Sequence, residues 1–279
     1  MNENLPIAAA TAMLVQKTLT HPIRSIIVVY SALLVEPFIN HVICKKVLPD
    51  MNNHPLSHGE LLRMAMVRYV GAILVLSAMF FLPAGTLNYW QAWVYLAILF
   101  IPMLFVLSYL LRNDPDLLER RFRMHEKESA QRKIIGFSWV FFLAAFLLPG
   151  FDQRFGWSQV PVWVVISADV LVLLGYGIVF LVFRQNTYAS RVVEVEEKQQ
   201  VISSGVYAIV RHPMYLGSIL LYTASPMALG SWWALFPIIP IIGILVARIM
   251  DEERLLRHDL PGYEAYTHQV HYRLIPGIW

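Results

Sequence analysis

The sequence predicts an all-α polytopic integral membrane protein with six or seven transmembrane helices, arranged largely as hairpins, and a cytoplasmic C-terminal tail. Three observations predict it: an apolar composition, recurring runs long enough to cross hydrocarbon, and an alternation of charge between the connections. The 279 residues are 57% hydrophobic and 15% charged, with a mean hydropathy of +0.55. Ordinary soluble domains carry roughly 25% charged residues. A helix needs about 20 apolar residues to span a bilayer, and such runs fall at 67–83, 91–111, 134–151, 159–183, 213–229 and 232–250.

The first and third of these runs, and 213–229, are short and should stand nearly upright or lean on neighbours. A further stretch, 23–43, is apolar but carries Glu36–Pro37, Asn40 and His41 ahead of Lys45 and Lys46. It either spans or lies in the interface. The opening residues lack the basic start of a cleavable signal peptide, since Glu3 precedes the first basic residue, Lys17. The single Cys44 offers no internal disulfide and no redox motif.

Charge sets the orientation. The connection 112–133 is rich in arginine and lysine, 184–212 holds Arg184, Arg191, Lys198 and Arg211, and the tail adds Arg254, Arg257 and Arg273. The intervening connections 84–90 and 230–231 carry no charge, and 152–158 carries only Asp152 and Arg154. Basic connections stay in the cytoplasm, so 211–213 and the tail face that side of an inner membrane. The formal charge of +3 suits anionic lipid heads; it does not interleave with aromatics in a soluble nucleic-acid module. The short outer connections make hairpins of 67–111, 134–183 and 213–250. Tyr89, Trp90, Trp93, Trp157, Trp163, Trp232 and Trp233 fall near their outer ends, where amphipathic rings anchor in the interface. With no repeat and no polar segment able to build its own core, the chain reads as one domain, 1–279. Within it, 1–60 is a variable N-terminal region.

The polar residues with chemical potential gather late in the chain. In GVYAIVRHPMYLG (205–217), Pro213 suits the first position of a helix and pushes His212 out of helical geometry. A helix should begin at Pro213, its first-turn amides and positive dipole end suited to an anionic group. Asp251, Glu252 and Glu253 close the last apolar run among Arg248, Arg254 and Arg257, whose spacing allows i,i+4 pairs. The tail PGYEAYTHQVHYRLIPGIW (261–279) supplies Tyr263, Tyr266, Tyr272 and Trp279 as flat stacking surfaces. His54 and His58 are four apart with Pro55 between them and no third ligand near, and no metal site is expected.

Together RHPMYLG (211–217), the Glu252–Glu253 pair and the tyrosine-rich tail resemble the isoprenylcysteine carboxyl methyltransferase family. More broadly they resemble the integral-membrane methyltransferases that include phospholipid N-methyltransferases. The likeness is strongest over 186–279, a methyltransferase core; LPAGTLNYWQAW (82–93) and DPDLLERR (114–121) look like the bacterial branch. The resemblance implies S-adenosylmethionine (SAM) as methyl donor and a lipid-like or prenylated acceptor, nominally an isoprenylcysteine-type carboxylate. It implies that Arg211, Glu252 and Arg254 serve the reaction. It also implies that Tyr207, His212, Pro213, Tyr215, Gly217, Glu253, Tyr263 and Tyr266 shape the cofactor site. Arg248 and Arg254 lie near positions where eukaryotic members keep a reaction-site arginine.

A carboxylate acceptor is ionised already and needs an arginine to hold it, Arg211 first; a phospholipid amine or a thiol needs a base, for which Glu252, Glu253 and His212 compete. Membrane sterol reductases, which use NADPH, share a similar Arg–His–Pro–x–Tyr segment and an ending like YRLIPGIW (272–279). However, HDLPGYEAYTHQV (258–270) lacks the cysteine and the lysine–tyrosine–glycine run typical of them. A non-catalytic lipid-binding protein is the remaining alternative.

Overall fold

The computed structural model describes residues 57–122, 129–186 and 200–279. The candidate span 23–43, Cys44 and His54 lie outside the described residues. The described secondary structure is helical throughout: α1 (His58–Ala84), α2 (Trp90–Asn113), α3 (Pro115–Phe122), α4 (Ser129–Phe155), α5 (Val162–Gln185), α6 (Pro213–Ala228), α7 (Ile238–Asp259) and α8 (Tyr263–Gln269). Single 3-10 turns precede α6 and α7, at Gly205–Ala208 and Trp233–Leu235.

Local chemistry explains the boundaries. Ser57 and Glu60 form a reciprocal capping box at the start of α1. Asp114 accepts the Leu117 amide at 2.9 Å and opens α3. The break between His212 and Pro213 starts α6 where proline chemistry requires it.

Among the described residues, four helical segments are long and apolar enough to cross a membrane: His58–Ala84, Trp90–Asn113, Val162–Gln185 and Trp233–Asp259. The chain is thus an integral membrane protein, with four candidate spans among its described residues. The remaining two expected runs are helical as well, but α6 has only 16 residues. At 1.5 Å per residue it is about 24 Å long, shorter than a hydrocarbon core of about 30 Å.

The hairpin expectation needs correction for 134–183 and also for 213–250, where α6 packs chiefly on α5 and only lightly on α7. α4 packs chiefly on α1, and α5 chiefly on α6, although α4 and α5 are joined by a short connection. Small residues decide this. A Cβ on Gly175 would lie 2.8 Å from the Gly217 carbonyl oxygen, and one on Gly217 would lie 2.9 Å from that of Gly175. The two backbones meet there because neither residue has a side chain, the contact by which helices associate in lipid. Gly150 of α4 likewise touches the backbone of α1 at Phe80, beside the stacked Phe80–Phe146 pair.

The three short connections come together at one end of the bundle. Asp152 accepts hydrogen bonds from the Ser158 amide and hydroxyl (both 2.6 Å) and the Ser231 hydroxyl (2.5 Å), and the Tyr89 hydroxyl donates to Leu229 O (2.5 Å). Tyr89 is therefore not an interfacial anchor: it is fully buried, because its hydroxyl finds a carbonyl inside the protein. The six tryptophans expected near that end are all exposed, as anchoring rings should be. At the opposite end, Arg68 of α1 donates to Phe122 O and lies 4.4 Å from the Phe122 ring centroid, fixing α3 across the bundle.

Candidate active site

The residues marked by the sequence converge at the end of the bundle opposite the short connections. Arg211 and His212 precede α6, Glu252 and Glu253 lie in the last turns of α7, and the tail folds back over both. Two main-chain bonds dock it, Arg211 N to Tyr272 O at 2.9 Å and His212 N to Arg273 O at 3.0 Å.

Glu253 is the hub. It is only 3% exposed. Its Oε1 accepts from Arg211 Nε at 2.8 Å and lies 3.2 Å from His212 Nε2, while its Oε2 accepts from Arg273 Nε at 3.0 Å. Arg211 is further committed through Nη1 to Val270 O (2.8 Å) and His271 O (2.9 Å). The i,i+4 partner expected for Glu253, Arg257, stands at 4.0 Å, a weaker contact than any of these. Buried carboxylates persist when opposite charges and hydrogen bonds surround them, as here. The hub thus ties α6, α7 and tail into one unit, and Arg211 acts in it as a tail clamp.

Beside the hub runs a second chain. Arg248, 4% exposed, donates from Nε to the Tyr215 hydroxyl at 2.7 Å, and that hydroxyl donates to Glu252 Oε2 at 2.6 Å. Glu252 is half-buried, so this chain leads from a buried guanidinium to a carboxylate at the rim. Tyr215 also packs edge-on to His212. Gly217 sits one turn deeper, where it lets α5 approach α6. Pro213 is buried at the first position of α6. Arg254 stands apart: exposed, and bonded to Asp251 at 3.2 Å.

The tyrosines take a different posture from the expected stacking platform. Tyr263 and Tyr266 are buried in a small core with Leu260, Val270, Val201 and Leu256. The Tyr266 hydroxyl donates to Tyr207 O at 2.7 Å, and Asn186 Nδ2 donates to the Tyr207 hydroxyl at 2.9 Å. The Tyr263 hydroxyl is buried, has no hydrogen-bond partner among the described residues, and lies within electrostatic reach of Glu253, Glu252 and Arg211. Burial pushes the Tyr207 phenol up to about 12, and raises those of Tyr263 and Tyr266 as well. At neutral pH these groups are hydrogen-bond donors and not bases.

Two contributors escaped sequence reasoning. Arg273 was legible only as one more basic residue of the tail, and its link to Glu253 spans 20 positions. Asn186, whose amide holds Tyr207, carried no signal. Among the described residues, no cluster of three or more histidine, cysteine, aspartate or glutamate side chains is arranged to hold a metal ion.

Comparison with known proteins points the same way. Residues 163–259 match the phospholipid methyltransferase (PEMT) family, a stretch that takes in α5, α6, α7 and the Arg211–Tyr215 and Arg248–Glu253 groups. The chain is also similar to a protein described as a probable 7-dehydrocholesterol reductase of Acanthamoeba polyphaga mimivirus. That match is 36% identical over 83 residues, covering 29% of this chain and 19% of the viral protein. The region of family likeness thus takes in Arg211, His212, Tyr215, Arg248, Glu252 and Glu253, while the tail that closes over them, with Tyr263, Tyr266 and Arg273, lies beyond it.

Proposed function

We propose that the protein is a SAM-dependent methyltransferase acting on a lipid-type acceptor, nominally the carboxylate of an isoprenylcysteine-like molecule, at the cytoplasmic face of a bacterial inner membrane. In this reading α4 and α6 complete a set of six spans. The observation that carries the proposal is the Arg248–Tyr215–Glu252 chain, set within the stretch that matches the family.

The residues present fit the donor. Tyr263 offers a buried hydroxyl without a hydrogen-bond partner among the described residues, and Glu252 a carboxylate at the rim, suited to the hydroxyls of a ribose or to an ammonium group. SAM, when bound, supplies an electrophilic methyl group on sulfonium. The protein's task is then alignment and the exclusion of water, since the transfer is an in-line displacement. Arg248 is the better arginine to hold an acceptor carboxylate. Arg211 already serves Glu253 and two tail carbonyls, and Arg254 lies on the surface. For a phospholipid amine the same chain offers Glu252 as the base, with Tyr215 bonded to it.

Calorimetry in nanodiscs tests the proposal. SAM should bind the wild-type protein, and a folded sample that binds none at millimolar SAM would end it. The likeness to a sterol reductase favours one second reading, an NADPH-dependent reductase on the same scaffold. Oxidation of NADPH on adding an unsaturated sterol, with no SAM binding, would establish that reading instead.

A further inference from the structure

Asp169 is the single acid among the 24 residues of α5. It is 6% exposed, and no donor among the described residues reaches its Oδ1. An acid held this way inside an apolar span is costly, and such residues mark ligand or ion pathways.

Its surroundings do not relieve it. The Tyr95 hydroxyl of α2 lies within electrostatic reach of Asp169 and of Tyr176, which shares the buried face of α5 two turns on. That hydroxyl is 2.5 Å from Ser225 Oγ, which in turn donates to Leu221 O at 2.6 Å. With the serine proton committed to a carbonyl, the tyrosine proton is committed to the serine. The Tyr95 proton therefore points away from Asp169.

The Gly175–Gly217 contact fixes the height of Asp169 relative to the reaction site. Asp169 lies six residues from Gly175 toward the end with the short connections, and Tyr215 lies two residues from Gly217 toward the other. At 1.5 Å per residue their levels differ by about 12 Å. An amphiphile whose reacting head sits at Tyr215 and Glu252, and whose chain runs along α5 and α6, reaches the level of Asp169 with atoms some ten carbons away, roughly the same span.

We infer that Asp169 is a specificity site for a second polar group on the acceptor: a hydroxyl on the distal part of the lipid. A hydroxyl fits better than an ammonium group, because a neutral donor brings less desolvation cost into hydrocarbon. The inference rests on the methyltransferase reading for the position of the reacting head.

The test compares ω-hydroxydecanoate with decanoate as ligands of the protein in nanodiscs, by calorimetry, alongside thermal unfolding and SAM binding. The wild type should bind the hydroxylated probe about tenfold more tightly, the worth of one hydrogen bond to a charged group. Asp169→Leu should bind both probes alike and unfold at the same or a higher temperature, with SAM affinity unchanged. Asp169→Asn should keep part of the preference. A wild type without preference, a preference that survives in Asp169→Leu, or a lowered unfolding temperature in Asp169→Leu would each overturn the inference. Failure of the wild type to bind SAM would instead remove the methyltransferase reading, and the probe comparison distinguishes the two.

Discussion

The two ends of the bundle each bury an acid, and they satisfy it in opposite ways. At the end with the short connections, Asp152 receives three short hydrogen bonds from neutral serine groups. At the other end, Glu253 is held by the guanidinium groups of Arg211 and Arg273 with His212 beside it, and Glu252 is linked through Tyr215 to Arg248. The first arrangement is closed. The second gathers both signs of charge at a rim and leaves the Tyr263 hydroxyl without a hydrogen-bond partner among the described residues. Neutral saturation locks loops together, whereas concentrated charge with an unused donor suits a polar ligand.

The largest break in this comparison is Glu253→Gln. Truncating one side of a buried charge cluster costs about 3–5 kcal/mol. We expect the tail to become protease-sensitive and SAM binding to be lost with it. Arg211→Ala should behave similarly because Arg211 clamps the tail; normal tail protection in that variant would refute the clamp. A smaller loss, about 1–3 kcal/mol from overpacking, is expected for Gly175→Ala, since its Cβ would lie 2.8 Å from a backbone oxygen of α6. Chemical denaturation would read it.

Asp152→Ala, which leaves serine donors buried without an acceptor, should cost about 1–3 kcal/mol. SAM affinity should stay unchanged, so a lost affinity would mean that the two ends are coupled. The smallest effect concerns pH. Burial holds the Tyr207 phenol at about 12 in the folded protein, against about 10 in an unfolded chain. Its contribution is complete below about pH 10 and is lost as the pH rises toward the folded value, because the unfolded state releases its proton first. Thermal unfolding over that window should show the loss in wild type, and Tyr207→Phe should reduce it.

Much of the scaffold was legible because its causes are local. Apolar runs marked the long helices, and Pro213 marked the start of α6 to the residue. The pairing of helices was less legible, because Gly175 and Gly217 meet across 42 positions, and spacing does not reveal which glycines touch. The site residues were legible as types and not as partners. Arg211, His212, Tyr215, Glu252 and Glu253 do converge, but i,i+4 reasoning gave Glu253 its weakest partner, Arg257. Tyr89 looked interfacial and Tyr263 and Tyr266 looked like open stacking surfaces, yet all three are buried, since their hydroxyls or rings find companions only after the chain folds; Tyr272 alone of the tail tyrosines stays exposed.

The most direct test is transfer of labelled methyl from SAM into the lipid fraction of membranes, comparing wild type, Arg248→Ala and Asp152→Asn. The account predicts transfer by wild type and Asp152→Asn, and none by Arg248→Ala even though that variant still binds SAM. Wild-type rates from Arg248→Ala would contradict it.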